Sequence, residues 1–260
     1  MIQPYNLMEL MVCVASRQLE DGKTAVIGTG MPLAAAMLAQ KTRSPNLITM
    51  FEAGSIAPQL IKLPLSVADS YTMAGGLMHS SMNEIMEACQ RGIVDYTFLG
   101  GAQIDMYGNL NSTLVGTDYY KPKVRLPGSG GANDLASLCW KTLIITPHDK
   151  RRFVSKLDFL TTPGYLTGPG AREAAGLPAR TGPYKVISTL ALMGYHPESK
   201  RMRVESLHPG VTVDDVRANT SFEMLFADNL ATTPEPTDDE LRILRQEVDP
   251  QGLIIGKRTG

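Results

Sequence analysis

The chain has 260 residues, 43% of them hydrophobic and 20% charged, with 24 glycines and 17 prolines. This composition belongs to a globular protein with its own core and excludes the disordered, collagenous and coiled-coil classes. Twenty-five basic against 26 acidic residues leave no positive excess to displace counterions from phosphates, so no nucleic-acid partner is expected.

Residues 1–5 lack the basic and apolar segments of a secretion signal. Over residues 7–19 apolar side chains recur at helical spacing (Leu7, Leu10, Met11, Val14), and Asp21-Gly22 ends the run. Residues 23–27 are β-prone. Gly28-Thr29-Gly30 then turns the chain into a helix that Pro32 opens and an apolar run continues to Ala39. Residues 46–51 read as a strand, 80–92 as a helix with Ile85, Met86 and Cys89 on one face, and 95–99 and 142–146 as strands. This alternation predicts an α/β fold, an open and mostly parallel sheet with flanking helices. Glycine and proline are dense from Pro163 to Pro183. Residues 184–193 and 201–207 then read as an antiparallel hairpin added to the sheet towards the C-terminus, and 213–218 and 238–247 as helices. No repeat or linker interrupts the chain, so residues 1–260 are expected to form a single domain.

Cys13, Cys89 and Cys139 are odd in number and widely spaced, which argues for a reducing compartment without disulfides. The longest uncharged apolar stretch, residues 25–39, contains Gly28, Gly30 and Pro32 and is too short to cross a bilayer. A cytoplasmic chain without membrane association is expected. His79, His148, His196 and His208 show no metal-ligand spacing, so no metal is expected. His79, before a helical run, is placed to reach a cleft, although capping or packing is its plainer role. Lys150-Arg151-Arg152 with Lys156 reads as a solvated face or a subunit contact.

Chemistry gathers at glycine turns. Gly28-Thr29-Gly30-Met31-Pro32 lies between a strand and a helix, where backbone N–H groups and the helix dipole favour a phosphate. Glu52 stands at the end of the next strand, where dinucleotide folds place a ribose-binding acid, but Leu33 replaces the third glycine of that pattern. A ligand-binding module and a plain packing turn both fit. Within Phe51-Glu52-Ala53-Gly54-Ser55, an ionised glutamate needs no base to act as a nucleophile, given an activated carbonyl and a stabilised oxyanion. Surface charge is its plainer role. Gly128-Ser129-Gly130-Gly131-Ala132-Asn133-Asp134 offers successive bare N–H groups suited to an oxyanion hole or a phosphate nest, or forms a flexible loop. Gly100-Gly101-Ala102-Gln103-Ile104-Asp105, with Tyr107-Gly108-Asn109, follows a strand at the edge where open α/β sheets bind ligands. Three such turns, one carrying a carboxylate, point to an extended phosphorylated substrate.

In order and spacing these motifs resemble the β subunit of the family I coenzyme A transferases, and are most similar to the glutaconate CoA-transferase branch. Lys150-Arg151-Arg152-Phe153, Gly168-Pro169-Gly170-Ala171-Arg172-Glu173 and Glu247-Val248-Asp249-Pro250 extend the resemblance over nearly the whole chain. It implies a CoA-transferase-like fold and ping-pong transfer of CoA between an acyl-CoA and a carboxylic acid, through a glutamyl-CoA thioester on Glu52. It further implies an oxyanion hole at the N–H groups of Gly131 and Ala132. CoA or substrate contacts are implied at Gly28, Thr29, Gly30, Met31, Pro32, Gly54, Gln103, Gly130 and Asn133. CoA enters as substrate and no cofactor is implied, while an α subunit in a hetero-oligomer would complete the acid pocket. The family glutamate is commonly followed by Ser-Gly or Asn-Gly. Here Ala53-Gly54 removes a polar group beside the substrate. Acyl-CoA hydrolases and decarboxylases share the scaffold, and the retained Glu52 favours transfer over these and over a non-catalytic dinucleotide- or ligand-binding module.

Overall fold

A computed structural model describes residues 4–64, 66 and 69–257 of the protein. The chain divides into two compact units, Met1–Phe98 with Pro234–Gly260, and Leu99–Thr233.

The first unit opens with α1 (Leu7–Ser16). The Asn6 side chain accepts the Glu9 N–H while the Glu9 carboxylate accepts the Asn6 N–H, each at 2.9 Å, so two orphan donors at the helix start satisfy each other. There follow β1 (Thr24–Val26), α2 (Met31–Lys41), β2 (Ile48–Met50), β3 (Ser55–Ile56), β4 (Met78–His79), α3 (Met82–Gln90) and β5 (Tyr96–Leu99). The strands lie in the order β5-β1-β2-β3-β4. β1 runs parallel to β2 and β5, and β3 antiparallel to β2 and β4. Every residue of α2 from Leu33 to Ala39 is buried. Its alanines let it lie close against α1, and so explain an apolar run with little amphipathic contrast.

In the second unit β6 (Gln103–Ile104) pairs with β7 (Leu110–Asn111), and β8 (Leu114–Val115) with β9 (Val124–Arg125). Next come α4 (Ala132–Leu138), β10 (Lys141–Thr146), α5 (Ala171–Ala174), β11 (Pro183–Ser188), β12 (Ala191–Tyr195), β13 (Met202–Leu207), α6 (Val213–Ala218) and β14 (Leu225–Thr232). The sheet order is β14-β13-β12-β11-β10, parallel at its two ends and antiparallel between. The expected α/β pattern is present, with a larger antiparallel part than one hairpin. Residues 184–193 do not form one strand. The chain reverses at Thr189 and Leu190, where the Ser188 hydroxyl accepts the N–H groups of Leu190 and Ala191. A serine-built turn carries no glycine or proline to announce it. β14 has no clear sequence signal either, being a half-exposed strand without a clean apolar alternation.

The chain then returns to the first unit as α7 (Asp238–Ile243), which passes into a π turn, Leu244–Val248, rather than continuing as α-helix to residue 247. Two arginine–carboxylate forks fasten this segment to α1. Arg17 binds Glu240 at 2.9 and 2.6 Å, and Arg245 binds Glu9 at 2.7 and 3.0 Å. Among the described residues no helix is long and apolar enough to cross a membrane, and no group of three or more His, Cys, Asp or Glu side chains could hold a metal.

His148 is buried in the second unit, stacked on Phe153 at 3.7 Å, with its ring nitrogens 3.0 Å from the Ser188 and Thr220 hydroxyls. Burial pushes its pKa down to about 4, and that of His208 down as well.

Two outcomes are expected. Arg245→Leu strands a buried Glu9 carboxylate and should cost about 3–5 kcal/mol in denaturant unfolding, with part recovered in the Glu9→Gln/Arg245→Leu double variant. As pH falls from about 6.5 to about 4, unfolded His148 takes up a proton that the folded ring refuses. Stability present above pH 6.5 should therefore decline through that window, with a slope of up to about 1.4 kcal/mol per pH unit from this group. The urea midpoint followed against pH should fall more shallowly in His148→Gln.

Candidate active site

In the first unit the site is built at the carboxyl ends of β1 and β2. Because these strands are parallel and in register, with Val26 opposite Met50, the segments that follow them emerge side by side. An Ile27 N–H to Met50 carbonyl bond of 2.9 Å carries the pairing one step further. Gly28, Thr29, Gly30, Met31 and Pro32 lead from β1 into α2, all partly accessible. Gly30 has φ +82°, and a Cβ at Gly28 or Gly30 would meet open space. No side chain caps α2 among the described residues, so its first N–H groups are not satisfied by a capping side chain.

Beside this loop, residues 51–55 make a tight turn closed by Gly54 N–H to Phe51 carbonyl (2.9 Å) and Phe51 N–H to Ser55 carbonyl (2.8 Å). Phe51 is fully buried and anchors the turn, while Glu52 is half-buried at its crest. Among the described residues the Glu52 carboxylate makes no hydrogen bond and no ion pair. Gly54 holds the turn in place. Its φ is +116°, and a Cβ there would lie 2.1 Å from the Ser80 carbonyl oxygen, whose own N–H donates to the Gly54 carbonyl at 2.8 Å. Glycine is therefore demanded at Gly54 by backbone packing. His79 sits opposite Ser55 across β3 and β4, exposed and on the same hairpin as this turn.

The second unit carries the other glycine loop. Gly128 donates to the Ser112 carbonyl and accepts from the Ser112 hydroxyl, both at 2.9 Å. Gly130 has φ +50° with open space where a Cβ would stand. Gly131 caps α4, and its N–H makes no hydrogen bond among the described residues. The N–H of Ala132 differs, donating to Ser129 at 2.9 Å to close the turn. Asn133 donates to the Thr161 carbonyl at 2.9 Å, tying the start of α4 down.

Gln103 is buried. Its carbonyl accepts from Asn111 (2.7 Å) and from the Asp158 N–H (3.0 Å), and its amide donates to the Asp158 carboxylate (3.2 Å). It acts here as a brace rather than an open contact. The Asp105 to Asn109 stretch is likewise a packing corner: the Asp105 carboxylate accepts the Tyr107 and Asn109 N–H groups, and Asn109 accepts those of Gly164 and Leu166. Lys150-Arg151-Arg152 is balanced by Asp149, which faces both arginines, and Arg152 also donates to the Gly101 carbonyl.

The structure thus gathers Gly28 to Pro32, Glu52 and Gly54 in one unit, and Gln103 and Gly130 to Asn133 in the other. Three contributors escaped sequence reasoning. Ser80, Ser112 and Thr161 act through contacts distant in sequence, the only nearby cue being the Ser81 to Glu84 capping box beside Ser80. The fully buried Arg172 reaches the carbonyls of Pro163, Gly164, Ala136 and Ser137 and the Thr181 hydroxyl, joining the glycine- and proline-rich segment to the end of α4.

The family model described as coenzyme A transferase matches residues 9–219. The chain is 40% identical to one of the subunits of 3-oxoadipate CoA-transferase from Pseudomonas knackmussii, over 93% of this chain and 92% of that one. It is 35% identical to one of the subunits of glutaconate CoA-transferase from Acidaminococcus fermentans, over 96% and 95%. The crystal structure of glutaconate coenzyme A-transferase from that organism superimposes with a TM-score of 0.92, covering 98% of each chain at 33% identity. The cholesterol ring-cleaving hydrolase IpdB subunit of Rhodococcus jostii is 30% identical, over 86% of this chain and 83% of that one. A family match across most of the chain, relatives above 30% identity over nearly its full length, and the shared fold together establish that this chain belongs to the coenzyme A transferase family.

Proposed function

We propose that this chain is the glutamate-bearing subunit of a heteromeric enzyme that moves CoA between two carboxylic acids, with an α subunit as its partner. The observation that carries the reading is Glu52, a half-buried carboxylate without a partner among the described residues, held on a tight turn beside the open glycine loop of Gly28 and Gly30. A nucleophile must be left unpaired.

In the proposed cycle a Glu52 carboxylate oxygen attacks the acyl-CoA carbonyl, and the C–S bond breaks to release the CoA thiolate and leave an acyl-glutamyl anhydride. The thiolate attacks the glutamyl carbonyl, expels the first carboxylate and forms a glutamyl-CoA thioester. The second acid attacks that thioester, and the returning thiolate takes its acyl group and restores the Glu52 carboxylate. Each tetrahedral oxyanion needs donors in place beforehand. We assign the unbonded Gly131 N–H to this task, with Ala132 joining it by exchanging its Ser129 bond. CoA is substrate throughout, and no step calls for a bound cofactor. Short dicarboxylic acids are the substrates we assign, after the two transferases named above.

With the α partner present and acceptor acid absent, acyl-CoA should leave a CoA-sized adduct on Glu52 in intact-mass spectra. Borohydride should then inactivate the enzyme irreversibly, and only after acyl-CoA has been added. Glu52→Gln should abolish transfer while folding normally, and Glu52→Asp, one methylene short, should lose about 10²-fold. Absence of the adduct together with an active Glu52→Gln variant refutes the mechanism. A hydrolase, the reading that the Rhodococcus relative favours, would instead release free acid from acyl-CoA continuously without any acceptor.

Gly54→Ala tests the support of the nucleophile. The added methyl cannot coexist with the Ser80 carbonyl, so the turn must shift, and turnover should drop by about 10²-fold with thermal stability much less affected than in a core-cavity variant. Unchanged turnover in a folded Gly54→Ala protein would detach this turn from catalysis.

A further inference from the structure

The glycine loop at Gly128 is the end of a hairpin, and that hairpin has a chemistry of its own. β8 and β9 pair at Leu114–Arg125 and Val115–Val124. Beyond it Leu126 N–H donates to the Thr113 carbonyl (3.0 Å) and, after the register slips by one residue, Gly128 N–H to the Ser112 carbonyl (2.9 Å). Gly116, at φ +112°, lets the two strands close where a Cβ would stand 3.1 Å from the Lys123 nitrogen. Whatever occupies the loop therefore lies at the foot of a braced hairpin.

On the returning arm Lys121, Lys123 and Arg125 alternate with Pro122 and Val124, Lys121 and Lys123 lying in bends just before β9. The three cations fall within five consecutive residues at the tip and returning arm of the hairpin. All three are exposed, and none is in an ion pair among the described residues. The hairpin's carboxylate, Asp118, is committed to the turn, accepting the N–H groups of Tyr120 (2.8 Å) and Lys121 (3.2 Å). This distinguishes the row from Lys150 to Arg152, where Asp149 supplies the counter-charge. Two tyrosines complete the tip. Tyr119 is held between the Arg125 guanidinium (4.8 Å) and Phe159 (5.9 Å), while Tyr120 is 90% exposed, its ring edge-on to Tyr119. A solvent-facing aromatic next to unpaired cations suits a nucleotide: the ring stacks a base and the cations take phosphates.

We infer that the Tyr119 to Arg125 hairpin is the subsite for the nucleotide end of CoA, with Lys121 and Lys123 on its phosphates and Tyr120 on its adenine. This rests on the reading of CoA as substrate given above and adds the place where its polyanionic end is held. The reach is consistent. Lys123 lies five residues from Gly128 along extended chain, at most about 17 Å, comparable with the stretched pantetheine arm between thioester and diphosphate. Energy gained there, remote from the bond change, can position the thioester for attack.

The test compares acyl-CoA with the same acyl group on pantetheine, which lacks the nucleotide, using the complex with its α partner. In Lys121→Gln/Lys123→Gln, kcat/KM for acyl-CoA should fall by about 10–100-fold, as expected for losing charge-assisted bonds. The value for acyl-pantetheine should stay at that of the unmodified enzyme, and the wild-type preference for CoA over dephospho-CoA should shrink. Raising the salt concentration should narrow the gap between the two proteins. Tyr120→Ser should weaken acyl-CoA and spare acyl-pantetheine in the same way. Equal losses with both donors, no loss with acyl-CoA, or a variant that no longer retains its α partner would each overturn the assignment, the last by making the hairpin a subunit contact. Failure of the transferase reading shows separately, as absence of borohydride trapping in the wild-type enzyme. In that event calorimetric binding of adenosine 3′,5′-bisphosphate to wild type but not to the lysine double variant still decides the hairpin.

Discussion

The contact between Gly54 and Ser80 fixes where Glu52 can stand, because two backbones approach there more closely than any side chain allows. In the proposed role of nucleophile, the Glu52 carboxylate has to satisfy conflicting demands. It must be rigid enough to attack along one line, yet it must not be held by hydrogen bonds or cations that would blunt it. The first unit suits both, anchoring the backbone on either side of Glu52, whose side chain has no partner among the described residues. Phe51 is buried, residues 51–55 close on themselves, and Gly54 is locked to Ser80. Parallel pairing of β1 and β2 then sets the open glycine turn at Gly28 beside it.

The second unit applies the same principle to donors instead of an acceptor. Its glycine loop presents backbone N–H groups, so nothing in the loop's own side chains can hold it. The restraint comes from outside: Ser112 grips Gly128, and Thr161 receives Asn133. Thr161 also accepts the Ser112 N–H through its hydroxyl, so one residue steadies both ends of the loop. Beneath it Arg172 gathers carbonyls from the end of α4 and from the glycine- and proline-rich segment. A buried guanidinium bonded wholly to neutral oxygens keeps its charge at a desolvation cost, and burial depresses its pKa accordingly. Its planar fork reaches several backbones at once, which no apolar side chain could do.

Stability is arranged at a distance from these loops. The C-terminal segment is fastened to α1 by two bidentate arginine–carboxylate pairs, one of them almost completely buried. Desolvation opposes the charge on Glu240, and the bonds from Arg17 and Thr237 outweigh it, leaving the carboxyl below its usual range. Such pairs fix register more than they add net energy. Here they fix where a segment more than 200 residues away in sequence returns to the first unit.

By itself the sequence determined the elements whose signals are local. The helical spacing from Leu7, the proline that opens α2, the alternation of helix and strand, and the turns at Gly28 and Gly128 all reappear, because short-range sterics and capping dictate them. The carboxylate at the end of β2 was legible too, since a strand end followed by glycine exposes what precedes it. Tertiary structure decided the remainder. The turn at Ser188 and the edge strand β14 lack a distinctive local pattern and exist because neighbouring strands pair with them. That Gln103 is braced by Asn111 and Asp158, which reach it from elsewhere in the chain, is decided by tertiary structure. The N–H groups of Gly131 and Ala132 differ in a way the motif does not show, that of Ala132 closing the Ser129 turn. Gly54 looked like a ligand position, and its need for glycine comes from Ser80. In each case the deciding partner lies outside the local motif or in the conformation of its turn, and residue type alone cannot say where a hydrogen bond will be spent.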